Sequence, residues 1–376
     1  MSAYEKAKDW LVSSGLCILD KSDVNVGAVH SFYETKKKEY GFLYPEITGY
    51  YISTMKFLYK NENLQNYLEI AKKSGSWLID LIDKYRYVIQ GVNTNKGNNE
   101  IVYSFDTSIC AKGFLDLYEI TDDQKYSAYA KKLLDWIDSD CVESDGTVNP
   151  VMDLKSKKFI ETSTWFMKKG CFGIKIAMPF LQYENSKNSK FRETATHICD
   201  TFIKFQNPNG SFAVHMGGNS VNLHAHCYAL EGLIYAYHIL KEPKYLESCK
   251  KALDWAISIM NNDGSIPSWI NFNYVSKASY PAAQLIRILI LISKIEKNLK
   301  YKNAASKLTN FILTLQSNNV DSKMDGGFYE ELYKSIFGWK KRSRINSWSS
   351  MFALQALNWI DNYESISFDK SIEYLF

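Results

Sequence analysis

Paired cysteines are missing from this sequence: its seven cysteines, Cys17, Cys110, Cys141, Cys171, Cys199, Cys227 and Cys249, stand singly, with no C-x-x-C spacing and no regular framework. That argues against a disulfide scaffold, and an odd number of isolated thiols suits a reducing compartment. The opening Met1-Ser2-Ala3-Tyr4-Glu5-Lys6 has no basic segment followed by an apolar stretch, so no secretory signal is read and a cytoplasmic location is expected. The longest apolar run, Leu285 to Ile292, is broken by Arg287 and falls far short of the ~20 residues of a membrane span. Neither sign of charge dominates, with 45 Lys/Arg against 41 Asp/Glu scattered along the chain, so there is no footprint for nucleic acid. G-x-G-x-x-G, Walker, G-x-S-x-G and H-E-x-x-H motifs are all absent, which removes the commonest nucleotide, phosphate, esterase and zinc-protease chemistries. No cofactor and no metal are expected, and the oligomeric state is not legible.

What is present is a repeat. A Lys-rich helix ending in an aromatic-aliphatic pair recurs at Trp10-Leu11, Trp77-Leu78, Trp136-Ile137, Phe202-Ile203, Trp255-Ala256 and Phe311-Ile312. The spacings of 67, 59, 66, 53 and 56 residues fit two helices with their connections. Between these landmarks lie more apolar segments: Pro45–Tyr59, Phe105–Tyr118, Gly170–Tyr183, His224–Leu240, Tyr280–Ile295 and Asn346–Ile360. A helix apolar on every face must be surrounded by other helices, so these form an inner set and the landmark helices an outer set. Turn signals follow the outer helices at Asp145-Gly146, Asn209-Gly210, Asp263-Gly264, Asp325-Gly326 and, more loosely, Gly97-Asn98-Asn99. The expectation is a single all-α domain over residues 1–376, an (α/α)6 toroid of six helical hairpins, with an open solenoid as the alternative. In a toroid the longer connections gather at the end where the inner helices begin, which makes that end the candidate site.

The segments Tyr44-Pro45-Glu46-Ile47-Thr48-Gly49-Tyr50, Phe105-Asp106-Thr107 and Gly113-Phe114-Leu115, with His224-Ala225-His226-Cys227-Tyr228 and Asp325-Gly326-Gly327-Phe328-Tyr329, carry a resemblance to the α/α-toroid superfamily. That superfamily includes six-hairpin glycosidases, polysaccharide lyases and glucuronyl C5-epimerase-like proteins. More narrowly, the chain resembles toroid proteins encoded with bacterial and archaeal exopolysaccharide biosynthesis genes. The resemblance implies a carbohydrate-active enzyme of polysaccharide or glycan metabolism, acting on an oligo- or polysaccharide expected to contain uronate, by cleavage or C5-epimerisation. A glycan-binding scaffold and a toroid cyclase or peptide-modifying enzyme are the other readings; the D-x-D-D signature of toroid cyclases is absent, since Ser104-Phe105-Asp106-Thr107 has one aspartate.

Candidate catalytic residues are Glu46, Asp106, His224, His226 and Tyr280. Glu46 and Asp106 begin adjacent inner helices, where free N–H groups favour an anion. They suit the paired carboxyls of glycoside hydrolysis, although Asp106 also reads as a helix cap. His224 and His226 are acid–base candidates; two residues apart, they face different sides of a helix, which disfavours a zinc pair. Candidate substrate-binding residues are Tyr44, Tyr50, His215, Asn222, Trp269, Arg287, Tyr329, Arg342, Arg344, Asn346 and Trp348. The arginines suit a uronate carboxylate, and the aromatics, with Trp165 among those in the same loops, suit the apolar faces of sugar rings.

Overall fold

The computed structural model describes residues 1–92, 100–162, 164–184 and 189–376. The turn expected at Gly97-Asn98-Asn99 lies outside the described residues. The landmark pairs fall on or at the end of α1 (Ala3–Ser13), α3 (Gln65–Tyr85), α5 (Gln124–Trp136), α7 (Ser189–Ile203), α9 (Pro243–Ser258) and α11 (Leu299–Leu313). The apolar segments form α2 (Pro45–Glu62), α4 (Ser104–Thr121), α6 (Gly173–Glu184), α8 (Leu223–Leu240), α10 (Ser279–Glu296) and α12 (Ser347–Asp361). A short α13 (Phe368–Ile372) follows. The outer helices bury one stripe, whereas every residue of α10 from Pro281 to Ser293 is buried, as an all-round apolar helix requires.

The inner helices touch in chain order, and α12 packs on α2, so the ring closes. This is the expected six-hairpin toroid and not the open solenoid. Four inner helices end on a left-handed residue, Asn63, Asp122, Lys241 and Lys297, which turns the chain directly into the next outer helix. The return connections are long, and glycines set their geometry. Gly27, Gly146, Gly210, Gly264 and Gly326 all have φ between +79° and +95°. A Cβ on any of them would strike a backbone carbonyl of the following outer helix, at Lys73, His197, Lys251, Lys307 and Lys6 respectively. Only glycine fits, by conformation and by space. The last of these contacts, Gly326 on Lys6 of α1, joins the end of the ring to its beginning. The Trp10 indole N–H reinforces that seam by donating to the Lys323 carbonyl at 2.9 Å.

The all-helical expectation omitted one feature. The long connections carry short antiparallel strands around the mouth, including β1 (Phe32–Glu34), β2 (Glu39–Tyr40), β3 (Ile101–Tyr103), β4 (Val151–Asp153) and β5 (Arg344–Asn346). Long segments crossing a partly buried rim must satisfy their backbone groups, and here they pair with one another. β5 pairs with β1, Phe32 opposite Asn346, so the first and last connections form one sheet.

Close backbone approach brings neighbouring inner helices together. A Cβ at Gly49 of α2 would lie 2.8 Å from the Ile109 carbonyl oxygen of α4, and one at Gly113 would lie 2.9 Å from that of Gly49. This contact sets the spacing of the helices that begin with Glu46 and Asp106.

Candidate functional site

Because every inner helix starts at the same end of the ring, the early residues of each form a circle around the mouth. Glu46, His224, Tyr280 and Trp348 are the second residues of α2, α8, α10 and α12, and Asp106 is the third of α4. Phe172 immediately precedes α6. The circle encloses a cavity of about 220 Å³ lined by Tyr44, Glu46, Gln90, Tyr103, Phe105, Asp106, Trp165, Phe166, Phe172, His224, Tyr228 and Trp348.

Both carboxyls are buried, Glu46 at 7% and Asp106 at 4% exposure. Burial pushes Glu46 up to about 7, opposed by Tyr44 and by the Lys175 charge. Burial, and then repulsion from Glu46, hold Asp106 well above the usual carboxylate range. Two carboxyls that repel one another and are withdrawn from water retain a proton near neutrality. Asp106 does not cap its helix: the cap position is Tyr103, with no side-chain cap bond. The Asp106 Oδ2 atom is buried without a hydrogen-bond partner, as is the Trp348 indole Nε1.

Across the cavity, His224 packs against Tyr228 at 4.2 Å and edge-on against Tyr280 at 4.6 Å between ring centroids. Its Nδ1 lies 2.6 Å from Gln284 Oε1. Burial lowers the imidazolium to about 3, against the opposing hydrogen bond to Gln284, so the ring is neutral at physiological pH. Beneath lies a fully buried ionic group in which Glu231 accepts from Lys175 at 2.6 Å, from Arg287 and, at 3.1 Å, from Gln284. The Lys175 ammonium sits over the rings of Tyr50 and Tyr228.

Of the residues singled out from sequence, Tyr44, Glu46, Asp106, His224 and Trp348 line the cavity, and Tyr280 supports it through His224. Others lie elsewhere. His226 points away, accepting from the Phe212 amide at Nδ1 and contacting the Trp255 ring at 4.9 Å; it ties α8 to the outer layer, as the two-residue spacing requires. Arg287 is fully buried and committed to Glu231 and Gln355, so it is a core residue and not a uronate ligand at the mouth. Asn222 and Asn346 are helix caps whose side-chain oxygens accept from the amides of His224 and Ala225 in α8 and of Ser349 in α12. Tyr50 is wholly buried against Phe352, and His215 sits in a separate crevice with Cys171, Phe202 and Phe212.

At the rim, Arg342 bonds Glu331 and the Tyr274 hydroxyl, Arg344 faces Glu34, and Lys341 lies over the Tyr329 ring. Trp269 stacks on Phe272 behind Trp165. The residues not foreseen as site residues, Gln90, Tyr103, Phe105, Phe166, Phe172 and Tyr228, come from connections or from helix positions that read as core. Among the described residues no group of three or more His, Cys, Asp or Glu side chains is arranged to hold a metal ion, and no helix is long and apolar enough to cross a membrane.

No protein-family model and no curated protein sequence matches the chain. Solved structures do. Cellobiose 2-epimerase from Bacillus thermoamylovorans B4167 superposes with a TM-score of 0.76 at 12% identity, covering 94% of this chain and 95% of that one. A D-mannose isomerase gives 0.75 at 11%, covering 97% and 96%. The unsaturated glucuronyl hydrolase of Bacillus sp. GL1, responsible for the degradation of glycosaminoglycan, gives 0.70 at 12%, covering 95% and 97%. At these identities the likeness establishes the fold, the six-hairpin α/α toroid.

Proposed function

We propose that this chain is a carbohydrate-processing enzyme that cleaves a terminal sugar unit by general acid–base catalysis. The observation that carries the reading is the opposition of protonation states around one cavity. The Glu46–Asp106 pair keeps a proton near neutral pH, while His224 stays unprotonated. Environments that push titratable groups apart in this way assign an acid and a base. The carboxyl pair protonates the departing glycosidic oxygen, and His224 takes the proton of the attacking water.

Aromatic walls from Phe105, Trp165, Phe172, Tyr228 and Trp348 suit the apolar faces of a sugar ring. At about 220 Å³ the cavity is smaller than the roughly 300–1,000 Å³ typical of ligand pockets, which favours one terminal ring over a long bound chain. Its lining has two carboxyls and, among the described residues, no arginine or lysine, so a neutral sugar suits it better than a uronate. The similar solved toroids include a cellobiose 2-epimerase, a D-mannose isomerase and an unsaturated glucuronyl hydrolase, which agrees with this reading.

A second reading is epimerisation, in which His224 removes a carbon-bound proton next to a sugar carbonyl. The carboxyl pair then supplies a proton on return. It is favoured by the single neutral imidazole at the cavity wall.

Incubation with a panel of neutral oligosaccharides in deuterated water separates the outcomes. New reducing ends report cleavage; deuterium at a ring carbon without cleavage reports epimerisation. The reading fails if neither appears, or if activity survives Glu46→Gln, Asp106→Asn and His224→Ala singly. Sugar affinity that persists through those changes without turnover would identify a binding protein instead.

A further inference from the structure

Four long polar side chains are wholly buried inside largely apolar helices: Lys175 on α6, Glu231 on α8, and Gln284 and Arg287 on α10. They meet beneath His224, and their donor and acceptor requirements leave one consistent arrangement. The Glu231 carboxylate takes Arg287 Nη2 on one oxygen and Lys175 Nζ, at 2.6 Å, on the other. Held between two cations, it only accepts. Gln284, 3.1 Å from Glu231 Oε2, must therefore present its amide NH2 there. That turns Gln284 Oε1 toward His224 Nδ1, at 2.6 Å. An amide oxygen carries no hydrogen, so Nδ1 must carry the proton, and Nε2 is left as the unprotonated nitrogen.

We infer that Gln284 and Glu231 are positioning residues that lock His224 in its Nδ1–H tautomer, leaving Nε2 as the proton acceptor at the cavity. The other rings around His224, those of Tyr228, Tyr280 and Phe352, pack on its faces and edges. Gln355 secures the far side of the network, accepting from Arg287 Nη1 at 2.9 Å and donating to the Tyr374 carbonyl at 2.7 Å. When Nε2 takes a proton, the imidazolium keeps its Nδ1–H bond to Gln284, so the ring need not turn between steps. The wrong tautomer would place an N–H where a lone pair is required. The same lock serves cleavage and epimerisation, because in each the proton moves to Nε2.

The inference rests on the proposed acid–base function but is read separately from it. In the intact protein labelled with 15N-histidine, long-range 1H–15N correlation spectra at neutral pH should show His224 as a neutral ring protonated at Nδ1, with Nε2 far downfield. The signal is assigned by its loss in His224→Gln. Gln284→Leu removes the acceptor and should give tautomer averaging or the Nε2–H form. With that shift, kcat/KM should fall at least about tenfold, mostly in kcat. Gln284→Glu, kept protonated by the Glu231 carboxylate beside it, donates its O–H to Glu231 and accepts from Nδ1–H, and should retain the Nδ1–H pattern. An Nε2–H or averaged His224 in the unaltered protein overturns the inference, as does an unchanged tautomer in Gln284→Leu. The expected tautomer in a protein that turns over no sugar would count against the proposed function alone.

Discussion

The Lys175 ammonium donates to Glu231 at 2.6 Å with both side chains fully buried, among the rings of Tyr50, Tyr228 and Phe352. Removing one partner of such a pair strands the other, which is the costly direction. The two partners are not equivalent here, because Glu231 also answers Arg287 and Gln284. Burial has already brought Lys175 down to about 8, against the pull of Glu231, so its proton is easily lost. Glu231→Gln should therefore destabilise the fold by about 3–5 kcal/mol, while Lys175→Met should cost well under half of that. Urea unfolding of the two variants checks the ordering; equal losses would contradict the assigned role of Glu231.

The carboxyl pair makes stability and activity move together with pH. Glu46 rises from 4.5 unfolded to about 7 folded, so between those values the folded chain holds a proton that the unfolded chain has released. The pair thus favours folding below about 4.5, and that contribution is lost as pH climbs through about 7. Glu46→Gln keeps the shape without the charge. It should flatten this slope and make the protein more stable at pH 8, by about 2–3 kcal/mol on the linkage between shift and stability. Activity of the unaltered enzyme should fall over the same upper limb as the shared proton is lost. Thermal unfolding against pH, beside a pH–rate profile, checks both halves.

The ring and the mouth were legible in the sequence because each rests on a pattern that packing must obey. Helices apolar all round have to be inner helices, and their first turns have to meet at one end; Glu46, Asp106, His224 and Trp348 follow from that alone. Helical spacing separates His226 from His224, and both could face the cavity only if His224 stood in the preceding loop; α8 starts at Leu223, so it does not. Arginine suits carboxylate binding, but Arg287 interrupts the longest apolar run of the chain, Leu285 to Ile292, and that place signals a buried partner. The same signal, a long polar side chain set in an apolar helix, marks Lys175, Glu231 and Gln284. Phe166 escaped because the α5–α6 connection has no periodicity from which a facing direction can be derived, and Phe172 because the inner helix expected from Gly170 starts only at Gly173, which leaves Phe172 at the mouth.

The glycine contact between α2 and α4 ties packing to chemistry. A methyl group at Gly113 would meet the Gly49 carbonyl oxygen at 2.9 Å, and backbone cannot move aside as a side chain does. Gly113→Ala should cost about 1–3 kcal/mol through overpacking. By wedging the helices apart it should also relax the coupling between Glu46 and Asp106. The upper limb of the pH–rate profile should then move to lower pH. A variant that loses stability but keeps the original profile would show that the helix spacing does not govern the pair.

Two tryptophans separate the wall of the cavity from the frame of the ring. Trp165 lines the cavity, half-exposed, and meets Phe166, Phe172 and Trp269 only edge-on, with centroids 5.5–6.4 Å apart. Little of the core leans on it, so Trp165→Ala should leave the unfolding midpoint nearly unchanged. The loss of a stacking surface worth about 0.5–1.5 kcal/mol should weaken sugar binding roughly 2–10-fold, appearing in KM more than in kcat. Trp10 is 1% exposed at the seam between the first and last hairpins, and its N–H is bonded to Lys323. Trp10→Ala should instead cost about 3–5 kcal/mol, with KM unaltered in the protein that remains folded. If both variants lowered stability alike and left KM untouched, the aromatic wall would be scaffolding and the sugar would have to bind elsewhere.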